Sequence, residues 1–230
     1  IYRPAGNYTS TELHAWLEGL HGHGFFPIFV GLPSPDYVVK TSLPQAYALW
    51  RDNFGDSSVI GAVTIPERHA ILHDEDVRIL DKVSSGVSFF ISQCIFNVEY
   101  TRAMLRDLIK ACEAKSQPVP TVIFTLTICG SPKTLEFMEW LGIHVPEDIK
   151  EGLKNCSDAV TRSVEIATQI ARNLIAFCVE NSIPFGFNVE SVATRRTEID
   201  ASLDLLKTLS GLLRERGLRG VNGTKEEGHV

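Results

Sequence analysis

Residues 62–97 read AVTIPERHAILHDEDVRILDKVSSGVSFFISQCIFN, and the punctuation of this stretch decides the fold. Its two ends are short runs rich in β-branched and aromatic residues, one closing at Val63 and one over 87–93, as in buried strands. Between them Asp74-Glu75-Asp76 forms an acidic start, followed by Val77, Leu80 and Val83 at helical spacing, which predicts a helix over 74–84. A strand, a helix and a strand with no hairpin signal between them make a βαβ unit. Its strands are parallel and its crossover right-handed.

The alternation continues outward from this unit. Towards the amino terminus, Thr9 or Ser10 can cap a helix running to about His21, ended by Gly22 and Gly24. A strand over 26–30, a loop with Pro33 and Pro35, a helix over 44–53 and a strand over 58–63 follow. Towards the carboxyl terminus the pattern predicts helix 99–114, strand 121–127, helix 132–141, a long helix 158–180, strand 185–189 and helix 198–214. In the long helix Val160, Val164, Ala167, Ala171, Leu174 and Cys178 make one apolar stripe, with Arg162, Glu165, Gln169 and Arg172 opposite. One domain is expected over 1–216, with 217–230 a flexible tail.

Composition narrows the function. Of 230 residues, 44% are hydrophobic and 22% charged, enough for one sizeable core and too apolar for disorder. A net charge of −6 argues against a general nucleic-acid binder, because neutralising phosphates needs a basic surface. No uninterrupted apolar run approaches the roughly 20 residues that span a bilayer, so no membrane partner is expected. The five cysteines are scattered without metal spacing and read as small buried hydrophobes in a reducing cytoplasm. Three Asn-x-Ser/Thr triplets, at Asn7, Asn155 and Asn222, carry little weight without a signal peptide.

Two architectures remain, a doubly wound sandwich and a (β/α)8 TIM barrel. No strand is followed by GxGxxG or GxxxxGK[ST], which removes the main reason for a nucleotide-binding sandwich. Strands ending in polar groups, Ser92-Gln93 and residues 188–191, suit a barrel mouth. Five strands are clear where a barrel needs eight. The first residue is Ile, so the sequence is expected to begin inside a longer chain or after processing.

Taken together, Pro66-Glu67-Arg68-His69, Asp74-Glu75-Asp76, Lys82, Ser85-Gly86, Ser92-Gln93 and Phe96-Asn97 resemble the methylenetetrahydrofolate reductase family of flavin-dependent barrels. The resemblance extends through WLGIHVPEDIKEGL, a helix–turn–helix at 140–153, and covers about residues 26–213. It implies that the strand at 26–30 is the fourth of the barrel and that Ile1-Tyr2-Arg3 ends the third. The first two strands are then missing from this chain, and five strands plus part of a sixth are expected.

The resemblance also implies the chemistry, hydride transfer from NAD(P)H through FAD to a folate-bound one-carbon unit. It assigns His69, Glu75 (with Asp76 the near alternative) and Lys82 to the flavin's phosphate, ribose and adenine portions. Gln93 falls where the family's amide meets the pterin, a role suited to a side chain offering both donor and acceptor. The sequence departs from the family at three places. The acid of the first strand lies outside it, the Arg-Gly-Asp turn is replaced by Val30-Gly31-Leu32-Pro33-Ser34 with Asp36 beyond, and the Arg near the last strand has no counterpart. Glu190, at the end of the last strand, is the candidate catalytic acid if burial raises its pKa, or else an outward ion-pair partner of Arg195 or Arg196.

Other readings of the same residues stay open. His69 and His73 are four apart near Glu67, Asp74 and Glu75, but the HExxH core of a metal helix is absent and no metal is expected. Gly130-Ser131 could hold an anion, or Ser131 could simply cap the helix after it. A non-catalytic flavin- or pterin-binding barrel and a flavin-independent methyl-transfer enzyme are the alternative functions. The apolar surface of an incomplete barrel would favour a homo-oligomer.

Overall fold

A computed structural model of the chain describes residues 1–21, 23–31, 38–55 and 59–218. Six strands form one sheet: β1 (Tyr2–Pro4), β2 (Ile28–Val30), β3 (Gly61–Thr64), β4 (Phe89–Cys94), β5 (Thr121–Leu126) and β6 (Phe185–Val189). Every pairing is parallel and the spatial order is the chain order, β1 to β6. A doubly wound sheet would reverse direction at a switch point. Strictly sequential order is the winding of a (β/α)8 barrel, here with six of its eight strand positions and with β1 as the expected partial strand.

Helices fill the crossovers: α1 (Ser10–His21), α2 (Leu43–Phe54), α3 (Pro66–Leu72), α4 (Glu75–Ser84), α5 (Val98–Ala114), α6 (Pro132–Trp140), α7 (Glu147–Asn155), α8 (Ala159–Glu180) and α9 (Arg196–Glu215). Local chemistry explains their starts. Thr9 and Glu12 form a reciprocal cap on α1, with the Thr9 N–H donating to Glu12 Oε2 at 2.7 Å and the Glu12 N–H to Thr9 Oγ1 at 3.3 Å. Ser42 and Gln45 do the same for α2, while Asp158 accepts from the Thr161 N–H at 3.1 Å to open α8. Proline occupies the first turn of α2, α3 and α6, where its missing N–H costs nothing.

Two readings change. Residues 66–72, read from sequence only as a turn, form the short helix α3, which ends at His73 in a left-handed conformation (φ 52°). Strand β3 begins at Gly61, later than expected, and position 58 lies outside the described residues, as do Gly22, the 32–37 turn and the tail from 219. Among the described residues no helix is long and apolar enough to cross a membrane.

Alternation sorts the strand residues onto two faces. Phe29, Ala62, Phe90, Val122 and Phe124 pack with Leu13, Leu17, Ile79, Leu105, Leu108, Leu174 and Leu205 in the core between sheet and helices. The other face carries Ile28, Gly61, Val63, Phe89, Ile91, Ile123, Thr125, Gly186 and Asn188 by the same period, and an irregularity between Ile91 and Cys94 sets Cys94 opposite Thr125. A Cβ on Gly61 would lie 2.6 Å from the Phe89 ring and 3.0 Å from Ile28, so glycine there lets that ring lie across the sheet.

A second close approach shapes the loop after β5. The Gly130 N–H donates to Glu198 Oε1 of α9 at 2.7 Å, and Thr134 Oγ1 donates to the same oxygen at 2.8 Å. Ser131 caps α6 by accepting from the Thr134 N–H at 3.2 Å, so the possible anion slot holds the protein's own carboxylate. A Cβ at position 130 would meet Val160 at 2.5 Å and Glu198 at 2.7 Å. Gly130→Ala is therefore expected to cost about 1–3 kcal/mol, read as a lower urea midpoint with an unchanged m-value.

Candidate functional site

Barrel chemistry gathers at the carboxyl ends of the strands, and here those ends carry the polar side chains of the inner face. Gln93 is the penultimate residue of β4 and is partly exposed. Its carbonyl accepts from the Cys94 N–H at 3.1 Å, which fixes the amide plane and leaves the NH2 without a protein acceptor among the described residues. Asn188 on β6 donates to Thr125 Oγ1 on β5 at 3.3 Å. Beyond β5, Thr127 is buried, and its hydroxyl has no partner among the described residues.

Four acids or weak acids, Tyr2, Glu67, Cys94 and Glu190, interact across the sheet. Burial, followed by the charges of Glu190 and Glu67, pushes the Cys94 thiol up to about 12. Burial, then Glu190, then Cys94, pushes the Tyr2 hydroxyl up to about 12. Glu67 and Glu190 thus both act on the end of β4, although they leave the sheet at β3 and β6. Glu190 is exposed, so burial does not act on it as expected. Nor is it the partner of the neighbouring arginines: Arg195 faces Glu198 at 3.9 Å and Arg196 faces Asp200 at 3.5 Å.

Glu67 is the residue that sequence reasoning passed over. Both of its carboxylate oxygens are shut off from water and meet no donor of another described residue; burial, opposed only by its own backbone N–H, pushes its pKa up to about 7. The signal was present in Pro66-Glu67-Arg68-His69, where attention went to the histidine.

The residues expected to hold a flavin lie elsewhere, on the helix side of the sheet. Glu75 has no exposure at all. Its Oε1 accepts from Thr64 Oγ1 at 3.1 Å and from the Ile65 N–H at 3.0 Å, while its Oε2 takes Arg68 Nη1 at 3.1 Å. Lys82 donates to the Val63 carbonyl at 2.7 Å and stands 5.9 Å from the Phe90 ring, itself a core residue. Burial pushes this lysine down to about 8. His69 is buried between Asp107, 3.2 Å from Nε2, and Asp76, 3.6 Å from Nδ1. His73 stands edge-on to His69 with 5.8 Å between ring centroids, and no cluster of three metal-ligating side chains occurs among the described residues.

A flavin cradle must present its charges and hydrogen-bonding groups to the ligand. Here Glu75 and Lys82 are bonded to Thr64, Ile65, Arg68 and Val63, while His69 Nδ1 and Asp76 Oδ1 are buried without a partner among the described residues. Glu75 and Lys82 work as a brace between β3, α3 and α4. Glu75→Ala is expected to cost about 3 kcal/mol by leaving Arg68 and two further donors without their acceptor, seen as a fall in the urea midpoint.

The comparisons agree with this architecture. The family model for methylenetetrahydrofolate reductase matches residues 46–189. Among solved structures, an uncharacterized protein from Clostridium thermocellum, which binds two copies of 5-methyl-5,6,7,8-tetrahydrofolic acid, superimposes with a TM-score of 0.84. It is 40% identical over 92% of this chain and 72% of its own. No match is found among curated proteins.

Proposed function

Since the chain belongs to the methylenetetrahydrofolate reductase family, we propose that it binds a reduced folate at the carboxyl ends of β3 to β6 and reduces its one-carbon unit with NAD(P)H. The observation that carries the folate reading is the pair of partly exposed amides Gln93 and Asn188 at the carboxyl ends of β4 and β6, in a chain 40% identical to a 5-methyltetrahydrofolate binder. In this reading Gln93, its carbonyl fixed by the Cys94 N–H, turns its NH2 to the pterin edge, and Asn188 with Thr125 supplies the neighbouring donor and acceptor.

Of the residues matched to the flavin, Glu75 and Lys82 bond within the fold, while His69 Nδ1 and Asp76 Oδ1 are buried without a partner among the described residues, so FAD rests on the family likeness. A non-catalytic flavin- or pterin-binding barrel and a flavin-independent methyl-transfer enzyme are the other readings, and no step here is routed through a flavin. Glu190 keeps a place in the reading as an exposed acid at the rim. The exposed Phe25 and Phe26 give surface for a homo-oligomer.

Titration calorimetry with 5-methyltetrahydrofolate tests the folate reading. Gln93→Ala is expected to weaken binding about tenfold, the loss of one hydrogen bond near 1.4 kcal/mol. Equal affinity in the two proteins would remove Gln93 from the site, and no binding to the wild type would remove the reading. Flavin absorbance retained after mixing with FAD separates the reductase and flavin-binding readings from the methyl-transfer one. NADH oxidation on adding methylenetetrahydrofolate tests the reductase step.

A further inference from the structure

The outer helix layer holds a cavity that the folate reading does not use. It lies where α5 packs on α8, measures about 370 Å3, and is lined by Arg102, Arg106, Ala176, Phe177, Glu180 and Asn181. Small-molecule sites fall in a range of roughly 300–1,000 Å3. Asn181 caps the end of α8, and the chain from there leads into the start of β6. The cavity is therefore set towards the amino-terminal ends of the strands, away from Gln93 and Asn188.

Its walls carry charges of both signs that do not meet. On α5, Arg102 is fixed in place: Nη1 donates to Glu99 Oε1 at 2.7 Å, and Nη2 to the Asn173 carbonyl of α8 at 3.3 Å. Each of those nitrogens keeps a second hydrogen. The Cζ of Arg102 stands 5.8 Å from the centre of the Phe177 ring, and that of Arg106, one turn along, stands 5.4 Å from the same ring. Arg106 is exposed and pairs with no carboxylate among the described residues. Glu180, on the α8 wall, is exposed and pairs with no cation among them.

The helix end sharpens this division. The last turn of α8 contains no basic residue, and Glu180 is its final residue. The carbonyls at a helix C-terminus favour a cation beside them and disfavour an acid. Asn181 Nδ2 donates to the Phe177 carbonyl at 2.8 Å, which leaves Oδ1 as an acceptor on the cavity wall. One wall thus offers guanidinium donors. The other offers a carboxylate, an amide oxygen and a helix end, all suited to a cation, with Ala176 and Phe177 apolar between them.

We propose that this cavity binds a free α-amino acid with an apolar side chain. The ligand's carboxylate pairs with Arg106 and the remaining hydrogens of Arg102. Its ammonium group goes to Glu180 and Asn181 Oδ1 at the end of α8, and its side chain lies on Ala176 and Phe177. A simple anion would leave Glu180 facing a like charge, and a simple cation would do the same to Arg106; a zwitterion complements both walls. The site is independent of the folate reading and is tested without folate.

The test is calorimetric titration of the full chain with L-leucine and L-phenylalanine. The N-acetyl derivative and the amide of each serve as probes lacking one charge, and inorganic phosphate as an anion alone. Saturable binding with a Kd below about 1 mM is expected for at least one of the amino acids, weakened about tenfold or more in both of its derivatives. Arg106→Gln and Glu180→Gln, at exposed positions, are each expected to weaken the amino acid about tenfold with the urea midpoint unchanged. Failure of both amino acids to bind overturns the proposal, as does binding that survives both substitutions. Phosphate binding as tightly as the amino acids, and more tightly in Glu180→Gln, would make the cavity a plain anion site and likewise overturn it.

Discussion

The buried carboxylate of Glu75 is the contact on which this part of the molecule depends. A carboxylate removed from water is tolerated only when its oxygens are satisfied, and here Thr64, Ile65 and Arg68 supply the donors. Those three residues belong to the end of β3, the turn after it and α3, while Glu75 opens α4. One side chain therefore sets where the strand stops, how α3 leaves it and where α4 begins. Lys82, one strand-length further on, fastens the other end of α4 to the Val63 carbonyl. The position of Glu67, one residue after Pro66, is a consequence of this brace.

The two faces of the sheet then take on different work. The helix-facing side is a close-packed apolar core. The inner side is mixed, and towards the carboxyl ends it becomes polar at Thr125 and Asn188. Gln93, matched by the resemblance to the pterin contact, stands at the end of β4, while the residues matched to the flavin stand on α3 and α4, where Glu75 and Lys82 bond within the fold.

The length of each repeating pattern decides what the sequence makes legible. The βαβ alternation could be read because the apolar periods of 2 and 3.6 are long and repeated, and the six-strand sheet in chain order agrees with it. Helix α3 was hidden because seven residues give barely two turns, and Pro66 beside two histidines looks like a turn. Gln93 could be placed at a strand end from the run that precedes it. The burial of Glu75 and Lys82 could not be foreseen, since charged residues at a helix start are ordinarily solvated. Glu190 illustrates the converse, a charge at a strand end that remains in water. Glu67 was the least legible of all, because the absence of partners is a property of the assembled surroundings and leaves no mark on the sequence.

The small residue at Gly61 carries a consequence for the depth of the barrel. With no side chain of its own, it admits the Phe89 ring beside Ile28, and these groups lay an apolar floor at the amino-terminal ends of the strands. Along the strand direction the inner face is then a cup, greasy at the bottom and wet at the rim. A flat, polar-edged molecule entering it can rest on the floor only by its least polar part. Its hydrogen-bonding edge is held at the height of Gln93 and Asn188, and whatever trails behind remains for the loops to recognise.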